Sequence, residues 1–269
     1  MRNFFGLFFT CVSVSGQAVV ATVSKSSPLT PDQSWSFVGS MGDASAVAIG
    51  PHTVLTAGHV AAGDFVLGSQ TYRFSSSTMA PSVKGHAVDL RVVQLSDTLP
   101  GWYQLAKSVS TKSTVTMVGY GQTGVVNSAA SGYAITNGLD ERRAGQNTIS
   151  SKTTTSSGPS LIAMLDKAGR AALAGGDSGG GWFVNGKLVG ISAFTYTKDV
   201  RKPSYGFAKK AYFGSGAIDL TNSTISKWLQ ANTSRGMPIE SVHTRAVPEP
   251  GSLLGLSLGA VCLARSRKR

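Results

Sequence analysis

Short apolar segments separated by glycine, proline and aspartate run through most of this chain, and they constrain its fold more than any other feature. The 269 residues include 32 glycines, and only 14% of the residues are charged. Segments this short are typical of β-strands, whereas helices need longer periodic runs. The pattern therefore predicts an all-β protein with many turns, large enough to bury a good core in one or two domains.

The segments form two groups of strands followed by one helix. In the first half the expected strands are 35–38, 46–49, 53–55, 65–67, 71–74, 90–95 and 114–118. In the second half they are 132–136, 145–149, 160–165, 181–184, 187–193 and 205–218. Residues 221–231 carry apolar Ile225, Trp228 and Leu229, which predicts a short amphipathic helix that Thr221 or Asn222 could cap.

Residues 175–181 read Gly-Gly-Asp-Ser-Gly-Gly-Gly and place Ser178 among small residues, with Asp177 before it. Glycines allow a sharp turn and bring backbone N–H groups close to a bound carbonyl. An acyl-transfer nucleophile needs such a setting, because its hydroxyl must be exposed and nearby amides must hold an oxyanion. Taken alone, the run could also be an ordinary glycine-rich turn.

Two upstream motifs favour the catalytic interpretation. Residues 54–60, Val-Leu-Thr-Ala-Gly-His-Val, present His59 at the end of a short apolar strand, and Asp89 opens an alternating apolar strand. The chain order His59, Asp89, Ser178 is one of three orders known for Ser-His-Asp hydrolases. The weaker rivals, which lack these contexts, are His52, His86, His243, Asp43, Asp64 and Asp97.

Together the three motifs resemble the chymotrypsin/trypsin-like serine protease family over residues 36–230, approximately. The resemblance implies two six-stranded antiparallel β-barrels with a short C-terminal helix, barrel one at about 35–121 and barrel two at about 122–231. It implies a protein or peptide substrate and no metal or cofactor, and no HExxH or Cys/His ligand cluster is present in the sequence. The chain departs from disulfide-rich members, since its only cysteines are Cys11 and Cys262, near the two ends.

The resemblance also implies a role for each residue of the site. Ser178 would be the nucleophile, His59 the base and Asp89 the group that orients the imidazole. The amides of Gly176 and Ser178 would form the oxyanion hole. In many members the aspartate equivalent to Asp177 pairs with a new N-terminal amine, but no Ile-Val-Gly-Gly stands before His59 here. The partner of Asp177 is therefore left open.

Substrate specificity follows from the same resemblance. The expected substrate-binding residues are Ala172, Ala193, Phe194, Thr195 and Gly216, with the 214–216 turn as a pocket wall. Trypsin-like members carry an aspartate at the position of Ala172, so a preference for Lys or Arg before the scissile bond is not expected. An uncharged pocket with a small base predicts a small or apolar residue there.

The two ends of the chain carry targeting patterns. Residues 1–21 match a secretory signal peptide, with cleavage after Ala21 as the first choice and after Ala18 as the second. A protease domain at 22–236 and a linker at 237–246 follow. Residues 247–269 combine Pro-Glu-Pro, an apolar stretch and a basic tail, and they resemble the PEP-CTERM sorting signal of Gram-negative bacteria. That resemblance implies an exosortase-type partner, a transient inner-membrane anchor and delivery to the cell surface or extracellular matrix.

These features predict a secreted, surface-sorted serine endopeptidase that acts as a monomer. The net charge of +12 is spread over scattered Lys and Arg residues without interleaved aromatics, so no nucleic-acid partner is expected. An esterase is one alternative, because residues 176–180 also fit G-x-S-x-G, although that fold needs the order Ser, Asp, His. A matrix-binding or adhesive module with little turnover, built on a protease-like scaffold, is the other.

Overall fold

The computed structural model describes residues 20–21, 35–126, 133–137, 141–166, 170–199 and 211–233. In these ranges the strands are β1 (Val20–Ala21), β2 (Val38–Met41), β3 (Ala44–Gly50), β4 (Thr53–Thr56), β5 (Phe65–Leu67), β6 (Gln70–Tyr72), β7 (Phe74–Met79), β8 (Arg91–Leu95), β9 (Thr114–Gly119), β10 (Thr123–Val126), β11 (Tyr133–Asn137), β12 (Arg143–Thr155), β13 (Gly158–Leu165), β14 (Ala171–Ala172), β15 (Gly181–Val184), β16 (Lys187–Asp199) and β17 (Ala211–Asp219). One helix, α1 (Ser223–Asn232), follows them.

The first sheet has seven strands in the order β6-β5-β2-β3-β4-β8-β7, and it nearly closes into a barrel. Its two edge strands, β6 and β7, are consecutive in the chain and are separated only by Arg73. A register shift between Phe74 and Ser76 interrupts the pairing with β8. A bulge of this kind bends a strand. The strand expected at 71–74 is divided between β6 and β7, so seven short strands form the barrel for which six were expected.

The second sheet is a closed barrel of six strands in the order β12-β13-β17-β16-β15-β9. Trp182, Leu161 and Met117 are fully buried inside it. The prediction of an all-β protein with two barrels and a short helix is thus confirmed. The barrels divide earlier than the expected position near 121, because β9 pairs on one edge with β12 and on the other with β15.

A smaller four-stranded sheet in the order β11-β10-β1-β14 accompanies the second barrel. The strand expected at 132–136 is β11, and it pairs with β10 in this sheet instead of joining the barrel. β1 falls within the expected signal peptide, and it pairs Val20 with Ala172. The remainder of the signal peptide, residues 205–210, the linker and the sorting signal lie outside the described residues.

Helix α1 closes the described part of the chain and packs over the junction of the two barrels. Of the two candidate caps, the structure uses Asn222, whose Oδ1 accepts hydrogen bonds from the amides of Thr224 and Ile225. Ile225 and Leu229 are fully buried in an apolar cluster that contains residues of both barrels. In the described residues no helix is both long and apolar enough to cross a membrane.

The junction cluster holds the two barrels together. The first sheet contributes Val38, Val47, Leu55 and Val92, and the second barrel contributes Phe183, Leu188, Ile191 and Ile218. All eight side chains are at most 2% exposed. Side chains of Trp35 and Tyr103 pack on Phe183 in this region, with ring centroids 4.6 and 4.7 Å from its ring. The loops at the end of this junction are consequently kept at a fixed separation.

Candidate active site

Strand pairing brings His59 and Asp89 together. β4 and β8 are antiparallel neighbours, and Thr56 at the end of β4 pairs with Arg91 at the start of β8. The loop that leaves β4 and the loop that enters β8 therefore lie side by side. His59 is in the first loop and Asp89 in the second, 30 positions apart in the chain.

The three predicted catalytic side chains form a continuous hydrogen-bonded line. His59 Nδ1 lies 2.8 Å from Asp89 Oδ2, and His59 Nε2 lies 2.8 Å from Ser178 Oγ. The backbone N–H of His59 also donates to Asp89 Oδ1 at 2.8 Å. Because an ionised carboxylate only accepts hydrogen bonds, it favours the tautomer with the proton on Nδ1. Nε2 is then free to accept the proton of the Ser178 hydroxyl.

The middle of the line, His59, is open to solvent, whereas Asp89 at one end is largely shielded. The side chain of His59 is 50% exposed, whereas that of Asp89 is 19% exposed. Asp89 is further restrained because its amide donates to the carbonyl of Ser157, at the turn between β12 and β13, at 3.0 Å. A substrate can therefore reach the imidazole while the carboxylate behind it stays in place.

The loop that carries Ser178 is bound to the first barrel through Ser45. The amide of Ser45 donates to the Ser178 carbonyl at 2.8 Å, and its hydroxyl donates to the Gly176 carbonyl at 2.9 Å. Gly179 has a φ of +85°, and a Cβ there would collide with the carbonyl oxygen of Ser45. Only glycine permits both the conformation and the close approach.

Asp177 holds the same loop to the second barrel from inside. Its carboxylate is buried and accepts N–H bonds from Gly121 at 2.9 Å and from Ala174 at 2.8 Å. A Cβ on Gly121 would lie 2.5 Å from the carboxylate carbon, so glycine is required for this contact. The group that the sequence left without a partner thus has two backbone partners within the described residues.

Burial changes the ionisation of Asp177. It raises the pKa of this carboxyl from 3.8 to about 7, while the two amide bonds and the charge of Arg143 act in the opposite direction. The hydrogen bonds only partly replace the lost hydration. The loop therefore depends on a carboxyl group that gains or loses its proton near neutral pH.

The amides expected to hold an oxyanion are available. Neither the N–H of Gly176 nor that of Ser178 donates to another described residue. Gly176 has a φ of +89°, which is a conformation that favours glycine. Two unoccupied donors beside a nucleophile can stabilise negative charge on a carbonyl oxygen.

Four of the five expected substrate-binding residues lie on β16 and β17 of the second barrel, and Ala172 lies on β14 of the smaller sheet. Phe194 pairs with Gly216 and Thr195 with Ser215 across β16 and β17, while Ala193 sits at the register shift between Ser192 and Phe194. Ala172 is 1% exposed and packs with Leu165 and Ala174. The Phe194 ring covers Gly216 so closely that a Cβ on Gly216 would collide with it. The Phe194 ring therefore occupies the space directly beside Gly216, one of the residues expected to form the pocket wall.

Among the described residues, the alternative His and Asp candidates form other hydrogen bonds or are exposed, and none belongs to the hydrogen-bonded line of Ser178, His59 and Asp89. His52 bonds to the Asp97 carbonyl and to Thr98, and Asp97 pairs with Arg73. Asp64 accepts from the amide of Phe74. The remaining rivals are the solvent-exposed Asp43 and His86, and His243, which is outside the described residues.

Sequence reasoning did not identify Ser45, Ser157 or Gly58 as parts of the site. Ser45 and Ser157 lie in segments without a motif, and their contacts exist only because distant loops meet. At Gly58 a Cβ would lie 3.0 Å from Asp89 Oδ1, so glycine permits the carboxylate to approach. The Ala-Gly-His motif includes this glycine. The need for a glycine there becomes clear only when the position of the Asp89 carboxylate is known.

Comparisons with known proteins agree with this geometry. A family model described as Trypsin matches residues 25–213, and a model of the PEP-CTERM protein-sorting motif matches residues 246–269. Among solved structures, the chain is similar to neuropsin, a serine protease expressed in the limbic system of mouse brain. That similarity has a TM-score of 0.54 and 17% sequence identity, and it covers 75% of this chain and 96% of neuropsin. No curated protein sequence matches the chain.

Replacing Asp177 with asparagine tests the role of its buried carboxyl. Between about pH 4 and 7 the folded carboxyl keeps a proton that the unfolded one has lost, so its contribution to the unfolding free energy falls as pH rises. Asp177→Asn cannot titrate and lacks this slope. Urea unfolding at pH 5 and pH 8 should show the wild type losing stability relative to the variant at the higher pH. An equal difference at both pH values would contradict the assignment.

Proposed function

Because the chain belongs to the trypsin family of serine proteases, we propose that it is an endopeptidase whose catalytic groups are Ser178, His59 and Asp89. The family requires a protein substrate, and the motif at 246–269 indicates export and surface sorting in Gram-negative bacteria. One observation carries the proposal. His59 Nε2, from the first barrel, lies 2.8 Å from Ser178 Oγ, from the second.

The contacts support the usual two-step acyl transfer. His59 Nε2 takes the hydroxyl proton as Ser178 Oγ bonds to the substrate carbonyl carbon. The amides of Gly176 and Ser178 stabilise the oxyanion, and His59 then gives the proton to the leaving amine as the C–N bond breaks. Water, deprotonated by His59, attacks the acyl-enzyme, and the proton returns to Ser178. Asp89 stabilises the imidazolium in both steps without becoming protonated.

The loop context disfavours the esterase alternative. The residues after Ser178 continue into β15 and not into a helix. The sharp strand-to-helix turn that exposes the nucleophile of α/β-hydrolases is therefore not formed. The adhesive alternative shares this scaffold, and only a measurement of Ser178 reactivity separates it from an endopeptidase.

A fluorophosphonate probe should label the wild-type protein at Ser178. Ser178→Ala should abolish labelling, and His59→Ala should lower kcat/KM by about 10⁴- to 10⁶-fold, as in serine proteases whose triads were taken apart. His52→Ala serves as the matched control, since His52 bonds only to Asp97 and Thr98 in the described structure. A folded wild-type protein that neither labels nor cleaves any peptide would favour the adhesive module.

The position of the Phe194 ring supports a preference for small residues before the scissile bond. With Ala172 as a small base and the Phe194 ring over Gly216, the proposed pocket would accept only a small side chain before the scissile bond. No charged residue occurs among the substrate-binding residues proposed from the sequence. We therefore propose that glycine, alanine and residues of similar size are accepted best.

Phe194→Ala should widen this pocket. With peptides that differ only at the residue before the scissile bond, kcat/KM for leucine and phenylalanine should rise about tenfold or more, since each buried CH₂ contributes about 0.8 kcal/mol. Phe74→Ala is the matched control, because it removes an exposed aromatic ring from the first sheet. A profile that does not change with Phe194→Ala would show that the ring does not limit the pocket.

The ends of the mature protein complete the proposal. The apolar stretch at 251–264 is shorter than the roughly 20 residues that span a bilayer, which suits a temporary anchor. At the other end, the pairing of Val20 with Ala172 supports the second-choice signal cleavage after Ala18, because that cleavage leaves β1 in the mature protein. Cleavage after Ala21 would remove this strand.

The intact mass of surface-released protein should correspond to a chain that begins at Val19 and lacks the residues after about Pro250. Glu249→Ala should leave the C-terminal segment in place, because it alters the Pro-Glu-Pro segment expected to be recognised. Surface protein that still contains Arg269 would contradict sorting by cleavage. A mass that begins at Thr22 would contradict the retention of β1.

A further inference from the structure

A cavity of about 160 Å³ lies beside the nucleophile loop, and none of the proposed catalytic or acyl-side residues lines it. Its lining residues are Ser40, Gly42, Asp43, Ala44, Val66, Gly68 and Tyr120. Pockets for whole small-molecule ligands usually measure about 300–1,000 Å³, so this one suits a single side chain. Gly42 and Gly68 leave its rim open, since a Cβ at either position would meet no atom within 4 Å.

Two contacts place the cavity next to the catalytic serine. Ala44 directly precedes Ser45, whose amide donates to the Ser178 carbonyl at 2.8 Å. The amide of Tyr120 donates to the Ser45 hydroxyl at 2.9 Å. Both walls of the cavity are therefore connected through Ser45 to the loop that would attack the substrate.

The cavity is lined mainly by the barrel that carries His59. Phe194 and Gly216, which are proposed to bind the acyl side, belong to the second barrel. Six of the seven lining residues of the cavity come instead from the first sheet and its turns. His59, which protonates the leaving amine, also follows a strand of the first sheet. If the acyl side of a substrate lies along the second barrel, as proposed above, the part after the scissile bond would continue over the first sheet.

The residues that line the cavity favour a positively charged ligand group. Asp43 is the one lining residue that is charged at neutral pH, and it is exposed at the turn between β2 and β3. Among the described residues none forms an ion pair or hydrogen bond with its carboxylate. Tyr120 adds an aromatic ring, which also attracts cations.

We propose that this cavity binds a lysine or arginine side chain of the substrate on the C-terminal side of the scissile bond, through Asp43 and Tyr120. The inference rests on the proposed endopeptidase function and adds a second specificity to it. The preference is moderate in size, because an exposed ion pair contributes little in water.

The test uses peptides that are identical before the scissile bond and vary at each of the three positions after it. For the wild type, kcat/KM at one of these positions should be highest with Lys or Arg and lowest with Glu. Asp43→Asn should lower it about two- to fivefold for the basic peptides only. Asp43→Lys should reverse the order in favour of Glu. The wild-type preference should shrink as salt is added, because salt screens exposed charges.

Asp97→Asn is the matched control, since it also removes one negative charge from the first barrel, although from a partly exposed carboxylate that pairs with Arg73. Asp97 bonds to His52 in the turn at the far end of β3, roughly 20 Å from Ala44 by the rise of a seven-residue strand. This variant should keep the basic preference. All variants should react equally with a fluorophosphonate, which carries no peptide on the leaving side.

The possible failures can be told apart. A wild type that neither labels nor cleaves overturns both the proposed function and this inference. A wild type that labels and cleaves but shows no basic preference after the scissile bond overturns the inference alone. The same holds for a preference that Asp43→Asn and Asp43→Lys leave unchanged.

Discussion

The buried carboxylate of Asp177 is the constraint on which the site depends. Its two oxygens accept the amides of Gly121 and Ala174 inside the second barrel, and this holds the adjacent Ser178 at the surface. Ser45 of the first barrel donates two hydrogen bonds to carbonyl groups of the same loop. The proposed nucleophile is thus fixed by both barrels, although among the described residues its side chain hydrogen-bonds only to His59.

The division of the site between two barrels explains why the apolar junction matters for chemistry. The imidazole and its carboxylate come from the first sheet and the hydroxyl comes from the second, so a 2.8 Å contact depends on how the barrels pack. The same division separates the two sides of a bound peptide. In the proposed assignment, Phe194 would narrow the acyl side and Asp43 would mark a cavity on the leaving side. Each barrel would then control specificity on its own side of the scissile bond.

The fold class could be predicted because strand length and turn residues are local properties. The division of strands between sheets could not. The segment that forms β9 has the same apolar pattern as its predecessors, but both of its edges are occupied by strands of the second barrel. Likewise β11 has strand character, yet it pairs with β10 outside the barrel. Hydrogen-bond partners across a sheet depend on chain positions far apart, and a local pattern does not encode them.

For the site, the sequence by itself determined the family, the order of the three candidate catalytic residues and the glycines around the serine, because these are carried by short contiguous motifs. Only the tertiary structure decided what satisfies Asp177, since its amide partners become neighbours when the loops meet. It also decided that the Phe194 ring covers Gly216, which sequence spacing could not indicate. The physical reason is the same in both cases. Burial and contact across barrels are properties of packed loops, whereas a motif records only which residue types are available to be packed.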